Sequence, residues 1–248
     1  MSHFTAEEKT HFKEHGYVIK HDLLRQELID NAIDVLWQHI EANRDNPDTW
    51  TNAGPSGNLP CSDHPDIIAT LHDTPIYDHV GELAGKDKLT PPGRPLCKMN
   101  YPTGNDPEDW EAPPRGHLDG YITDGVASTF TVGATVNISD IKPRGGGFTV
   151  WPGTHLRVAE YFKTHSLLTG WDINRNEIPE LADLPEPVEC AGPPGTVVFW
   201  HHYMLHRAGI NCQRDIRMAF VSRFNFKNLR QIQFDLPHDL WGQWEGLS

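Results

Sequence analysis

The segment Arg115-Gly116-His117-Leu118-Asp119-Gly120-Tyr121 carries the sharpest chemical signal in the chain. Residues i and i+2 of an extended segment point to the same side. His117 and Asp119 can therefore reach one metal ion together, the first with a neutral ring nitrogen and the second with an anionic oxygen. A second histidine from another strand would complete a facial triad, which leaves open coordination positions suited to non-haem Fe(II) oxygenases. Standing alone, the H-x-D is only two polar residues in the loop that follows Pro113-Pro114.

Residues 195–217, GTVVFWHHYMLHRAGINCQRDIR, offer that second histidine. Gly195 opens a turn, Thr196–Trp200 reads as an apolar strand, and His201, His202 and His206 follow. His206 is the preferred ligand because it stands 11 residues before Arg217, and a tight turn through Gly209-Ile210-Asn211 could fold the two onto paired strands. His201 and His202 read as an exposed or hydrogen-bonded pair. Arg217 opens the apolar run Met218–Val221. An arginine among inward-facing strand residues needs an anion, and its planar fork suits a carboxylate. Taken alone, it would pair with Asp215 at the surface. A third segment, Gly145–His155, reads as turn, strand and turn, with His155 either structural or lining a pocket.

Such groups need a scaffold, and the chain changes texture near residue 90. Before it, residues 5–15 read as a helix capped by Thr5 and stopped at Gly16, followed by a short strand at Tyr17-Val18-Ile19. Residues 24–43 form a longer helix with one apolar face, and 64–85 one or two short helices ending near Gly85. Residues 45–63 are a loop. After residue 90 come short β-type runs at Leu96–Tyr101, Thr129–Ile138, Gly147–Trp151, Thr196–Trp200 and Met218–Phe226, separated by Pro and Gly clusters, the pattern of a β-sandwich or barrel. Residues 156–165 read as helical and 166–187 as an insertion over one end of the barrel.

Composition narrows the function classes. A chain of 248 residues with 38% hydrophobic and 22% charged residues is long enough for a sizeable core. A net charge of -13 argues against a nucleic-acid partner, which would need a basic footprint, and against docking on anionic membrane. No stretch approaches a membrane span, and the polar N-terminus lacks the apolar core of a signal peptide. Cys61, Cys97, Cys190 and Cys212 form no CxxC pair and read as reduced thiols of a cytoplasmic protein.

Together these pieces resemble the phytanoyl-CoA dioxygenase family of Fe(II)/2-oxoglutarate-dependent oxygenases, over nearly the whole chain. The motifs are F-x-x-x-G-Y at Phe12–Tyr17, H-x-D at His117 and Asp119, G-G-x-x-x-x-P-G-T-H at Gly146–His155, and G-T-x-x-x-W at Gly195–Trp200 followed by the distal His206. Arg217 falls at the family's spacing for the cosubstrate arginine. The resemblance implies a β-rich α+β fold, a double-stranded β-helix (a cupin-like jelly roll) with N-terminal helices packed outside. It implies one domain over 1–248, with mainly helical support in 1–90 and the jelly-roll core in 91–230. It further implies Fe(II) on His117, Asp119 and His206, and 2-oxoglutarate with its distal carboxylate on Arg217. Thr135, 18 positions after the first histidine, would line the cosubstrate pocket. Ala208 stands where relatives often carry serine. Related halogenases carry Gly or Ala at the position of Asp119, so a carboxylate there favours hydroxylation or another oxidation.

The expected partners are thus O2 and a small-molecule substrate, with succinate and CO2 as coproducts. Substrate contacts are expected from Lys98, Asn100, Tyr121 and the 166–187 insertion, with Trp171 as a lid aromatic; Lys98 and Arg115 could pair with an anionic substrate. Two alternatives stand beside this reading. A cupin-type metalloenzyme without 2-oxoglutarate would have no use for Arg217, and a non-catalytic ligand-binding jelly roll would have no use for converging metal ligands. Substrate identity, stereochemistry and oligomeric state stay open.

Overall fold

The computed structural model describes residues 2–121 and 127–248. Helix α1 (Ala6–His15) begins with a reciprocal capping box: the Thr5 hydroxyl accepts from the Glu8 amide and the Glu8 carboxylate accepts from the Thr5 amide. Strand β1 (Tyr17–Lys20) follows. Helix α2 (Gln26–Trp37) is shorter than its apolar spacing predicts. Ile40 is buried beyond its end, because the spacing reports burial, not the last helical hydrogen bond. Then come β2 (Gly57–Asn58), α3 (Pro65–His72) and α4 (Ile76–Ala84).

The remaining strands are β3 (Leu96–Asn100), β4 (Val132–Asn137), β5 (Phe148–Val150), β6 (Val188–Cys190), β7 (Val197–His201), β8 (His206–Ala208) and β9 (Arg217–Phe224). Helices α5 (Thr154–Thr164) and α6 (Gly170–Arg175) lie between β5 and β6, and one turn, α7 (Leu229–Ile232), follows β9. The strands form a large sheet in the order β1-β7-β4-β9-β3-β2 and a small one in the order β6-β5-β8. All their ladders are antiparallel. The chain crosses repeatedly between the two sheets, and the fold is a jelly roll.

Period-2 alternation divides the large sheet into two faces. Cys97, Met99, Ala134, Val136, Phe199, Met218 and Phe220 join a core with Phe12, Leu36, Ile67, Val80, Trp244 and Leu247, so the helices and the C-terminal segment cover that face. Lys98, Asn100, Thr135, Trp200, Arg217, Val221 and Arg223 alternate onto the opposite face, toward the small sheet. No helix among the described residues is long and apolar enough to cross a membrane.

Candidate metal centre

His117 and His206 face each other as an isolated antiparallel bridge, exchanging backbone hydrogen bonds of 3.0 and 3.2 Å. The approach requires Gly116, where a Cβ would lie 2.8 Å from the His206 nitrogen and from the Trp151 ring. Asp119 follows at the next turn. Its Oδ1 lies 3.3 Å from His117 Nε2 and its Oδ2 3.4 Å from His206 Nε2. Ligand atoms from all three residues fall within 4.8 Å of one another, and no other such group of His, Cys, Asp or Glu occurs among the described residues.

The electrostatics suit a cation. His206 Nδ1 lies 3.0 Å from the Met204 carbonyl; a proton donated there leaves Nε2 as the lone-pair nitrogen. Burial holds His117 below the ordinary histidine range, favouring the neutral ring. Burial alone would raise the Asp119 carboxyl, but its contacts with the His117 and His206 rings, with the Arg223 guanidinium beside it, hold it below the usual carboxylate range. Two neutral imidazoles and one carboxylate around a common point form a donor set that fits a divalent transition metal.

The ligand-bearing segment is strapped from outside. Leu118 N donates to Asn174 Oδ1 at 2.7 Å, and Asn174 Nδ2 donates to the Leu118 carbonyl at 3.0 Å. The 166–187 segment thus positions the H-x-D turn. Arg115 is committed to the same task through the carbonyls of Ile173 and Asn176, which takes it away from the anionic substrate expected for it.

The three residues line a cavity of about 230 Å³ together with Lys98, Asn100, Phe148, Trp200, Ala208, Arg217, Val221 and Arg223. Arg217 is buried and forms no ion pair or side-chain hydrogen bond among the described residues; its Nε has no partner at all. Burial pushes its pKa down to about 10, with Glu189 pulling the other way. Asp215, the expected surface partner, lies 3.7 Å from Lys142 instead. Nor does Arg217 lie on a strand paired with that of His206: β8 belongs to the small sheet and β9 to the large one. The turn after β8 carries the chain across, so the two residues face each other over the cavity.

Other predicted residues are placed variously. Lys98 and Asn100 line the cavity, and Asn100 also ties loops together, donating to the Gly209 carbonyl at 2.8 Å and accepting from Ser56 at 3.1 Å. Thr135 is wholly buried and accepts a 3.1 Å hydrogen bond from Trp200 Nε1. The indole lies flat over Gly133, where a Cβ would come within 2.1 Å of it, so Trp200 stands between Thr135 and His206, its ring 4.3 Å from the histidine's. Tyr121 is buried against Phe162, Trp171 stacks with Arg175, and neither lines the cavity. His155, His201 and His202 are buried around the C-terminal end of β7, not exposed. Sequence reasoning missed Arg223, which donates to Asp119 Oδ2. Its even spacing from Arg217 along one strand was the available signal. A larger cleft of about 980 Å³ shares no lining residue with this cavity; Pro113–Arg115, Trp151, Leu205 and residues 177–187 enclose it.

Solved structures share the fold. The non-heme alpha-ketoglutarate-dependent carbocyclase SnoK from nogalamycin biosynthesis superposes with a TM-score of 0.63 at 17% identity, over 93% of this chain and 91% of that one. EvdO2 from Micromonospora carbonacea var. aurantiaca, complexed with 2-oxoglutarate, gives 0.59 at 14% identity over 90% and 91%. HygX from Streptomyces hygroscopicus, with nickel and 2-oxoglutarate bound, gives 0.57 at 14% over 90% and 88%. A search of curated proteins by sequence returned no match. The family model described as Phytanoyl-CoA dioxygenase (PhyH) matches residues 12–219, most of the length, and the chain belongs to the phytanoyl-CoA dioxygenase family.

Proposed function

We propose that the protein is an Fe(II)- and 2-oxoglutarate-dependent oxygenase that hydroxylates a small organic substrate, releasing succinate and CO2. The observation that carries this reading is Arg217: a buried guanidinium, unpaired among the described residues, in the same cavity as two histidines and a carboxylate. A buried charge without a partner is costly, and packing gives no reason for one here. A keto acid bound at the metal would give Arg217 the carboxylate partner it lacks. The 2-oxoglutarate bound in HygX and EvdO2 supports the same choice.

Iron and the keto acid, with O2, would supply the oxidising chemistry. The chain's own residues bind, orient and keep dry. His117, Asp119 and His206 would hold the metal through three donors, leaving positions for the cosubstrate and O2. Arg217 would grip the distal carboxylate through its planar fork. Trp200 and Phe148, packed 4.3 and 5.2 Å from the His206 ring, wall off water on the inner side. Asp119 supports hydroxylation, because its carboxylate fills the position that a halide would need.

Anaerobic addition of Fe(II) and 2-oxoglutarate should produce the metal-to-ligand absorption band of the chelate, and iron-dependent succinate formation should follow when air and substrate are admitted. The band should vanish in His117→Ala and Asp119→Ala while circular dichroism stays native. A band unchanged in both variants ends the proposal.

A further inference from the structure

We infer that the substrate carries an anionic oxygen head group, a carboxylate or phosphate, received at the mouth of the metal cavity by Lys98 and Arg223. This rests on reading the site as an iron and 2-oxoglutarate centre. Three cations, Lys98, Arg217 and Arg223, line a cavity whose only carboxylate among the described residues is Asp119, although the chain as a whole carries a net charge of -13. Glu189, the acid that acts on Arg217, does not line the cavity and forms no ion pair with any of the three among the described residues; its carboxylate accepts from the backbone amides of Gly147 and Arg144. Like charges concentrated in a small cavity repel one another and are poorly hydrated. Loading the site does not relieve them: a divalent metal and a dianionic keto acid cancel, so two positive charges stay unbalanced.

The sheet assigns which two. Arg217 and Arg223 alternate onto one face of β9, six residues or roughly 20 Å apart. Arg217 is at the buried end and is taken by the cosubstrate. Arg223 is at the open end, with its side chain 37% exposed, and it stands 5.3 Å over the Phe130 ring. It gives Nη2 to Asp119, and its other N–H groups are left for a ligand. Lys98 sits on the neighbouring strand, opposite Ala219 and so between the two arginines. It is half-buried and makes no hydrogen bond or ion pair among the described residues. An ammonium and a guanidinium edge at one mouth form an anion receptor, and the guanidinium fork fits carboxylate or phosphate oxygens. Arg115 does not share this role, since it lines the separate larger cleft and not this cavity.

The test uses Ni(II)-loaded protein saturated with 2-oxoglutarate, titrated by calorimetry with molecules sharing one body: phenylacetate, phenyl phosphate, phenylacetamide and phenethylamine. One anion should bind at least about tenfold more tightly than the amide, and the amine should not bind. The tighter of the two anions identifies the head group. Lys98→Met should reduce the preference to below about threefold while 2-oxoglutarate affinity stays within about threefold of wild type. Arg223→Gln, which also alters the contact with Asp119, should do the same to the preference when titrated at Ni(II) and 2-oxoglutarate concentrations that saturate the variant. Equal binding of anion and amide, a preference that survives both substitutions, or no anion binding overturns the inference. Failure of the underlying reading looks different: 2-oxoglutarate itself then gives no heat with the Ni(II) protein. The head-group preference is then judged by the same criteria on the metal-loaded protein alone.

Discussion

Two groups of histidines in this molecule receive opposite treatment. His117 and His206 sit beside a carboxylate, under three cations, around a cavity. His155, His201 and His202 sit behind the large sheet among Trp241, Trp244 and Tyr203, with ring centroids 5.4 Å apart for His155 and His201 and 4.4 Å for His201 and His202. Among the described residues, His201 Nε2 and both ring nitrogens of His202 lack hydrogen-bond partners, and no acid is paired with any of the three. Strand β7 separates the groups: Trp200 faces the cavity and His201 the aromatic cluster. Residue type is therefore no guide to role. A carboxylate at ligand distance and a void to hold something mark the functional pair; complete burial among rings marks the structural trio.

Exchanging the two losses breaks or upholds that distinction most directly. His206→Ala should weaken Ni(II) binding by at least about 100-fold, more than the loss of an outer-shell partner typically costs, and leave unfolding free energy within about 1 kcal/mol. His201→Ala should do the reverse, destabilising by roughly 3 kcal/mol through the cavity it leaves and keeping the metal. Calorimetric metal titration and urea unfolding of both variants check this. Metal loss in His201→Ala would merge the two groups into one.

Arg217 sharpens the contrast, because the cavity keeps a group that folding does not need. Arg217→Met should weaken 2-oxoglutarate binding by about 2–5 kcal/mol. Its unfolding free energy should match or exceed that of wild type, since an unpaired buried cation has been removed. Arginine retained for packing would show the opposite: a lower urea midpoint and unchanged cosubstrate affinity.

What the sequence made legible follows from what local spacing can encode. His117 and Asp119 were readable because two side chains on one short segment share a side. The helix cap at Thr5 and the stop at Gly16 were readable for the same local reason. The pairing of β8 was not. His206–Ala208 is three residues long with a polar sequence, and its partners, β5 and His117, lie far away in the chain. Placing Arg217 across from His206 required knowing that the intervening turn changes sheets. Trp200 reads from the sequence only as the last residue of an apolar strand, because nothing local shows that Gly133 clears a bed for its indole.

The structural trio also makes an acid-sensitivity prediction. Burial pushes His155 down to about 4 and His202 to about 3, and His201 well below its ordinary range. The folded state therefore holds them neutral. Their contribution is complete above the unfolded value near 6.5. As pH falls from there toward 4, the unfolded chain takes up protons that the folded one refuses. Stability should drop by roughly 1 kcal/mol per pH unit for each histidine. Urea midpoints measured across that window should fall less steeply in His202→Phe, by about one histidine's share, with Ni(II) affinity at neutral pH unaltered. An identical slope in the variant removes His202 from the account.

The smallest expected effect lies on β4, the neighbour of the dividing strand. Family resemblance puts Thr135 against the cosubstrate, whereas its hydroxyl here accepts from Trp200 Nε1 at 3.1 Å. Thr135→Val keeps the shape and deletes the acceptor, leaving a buried indole N–H unsatisfied. If the hydroxyl serves the wall, the variant loses about 1–2 kcal/mol of stability and changes Trp200 fluorescence, and 2-oxoglutarate affinity moves by less than about threefold. If the hydroxyl serves the cosubstrate, affinity falls and the urea midpoint stays. The two outcomes separate cleanly because Trp200 lies between Thr135 and the His206 ring: a side chain behind that indole reaches the metal region only by positioning the indole.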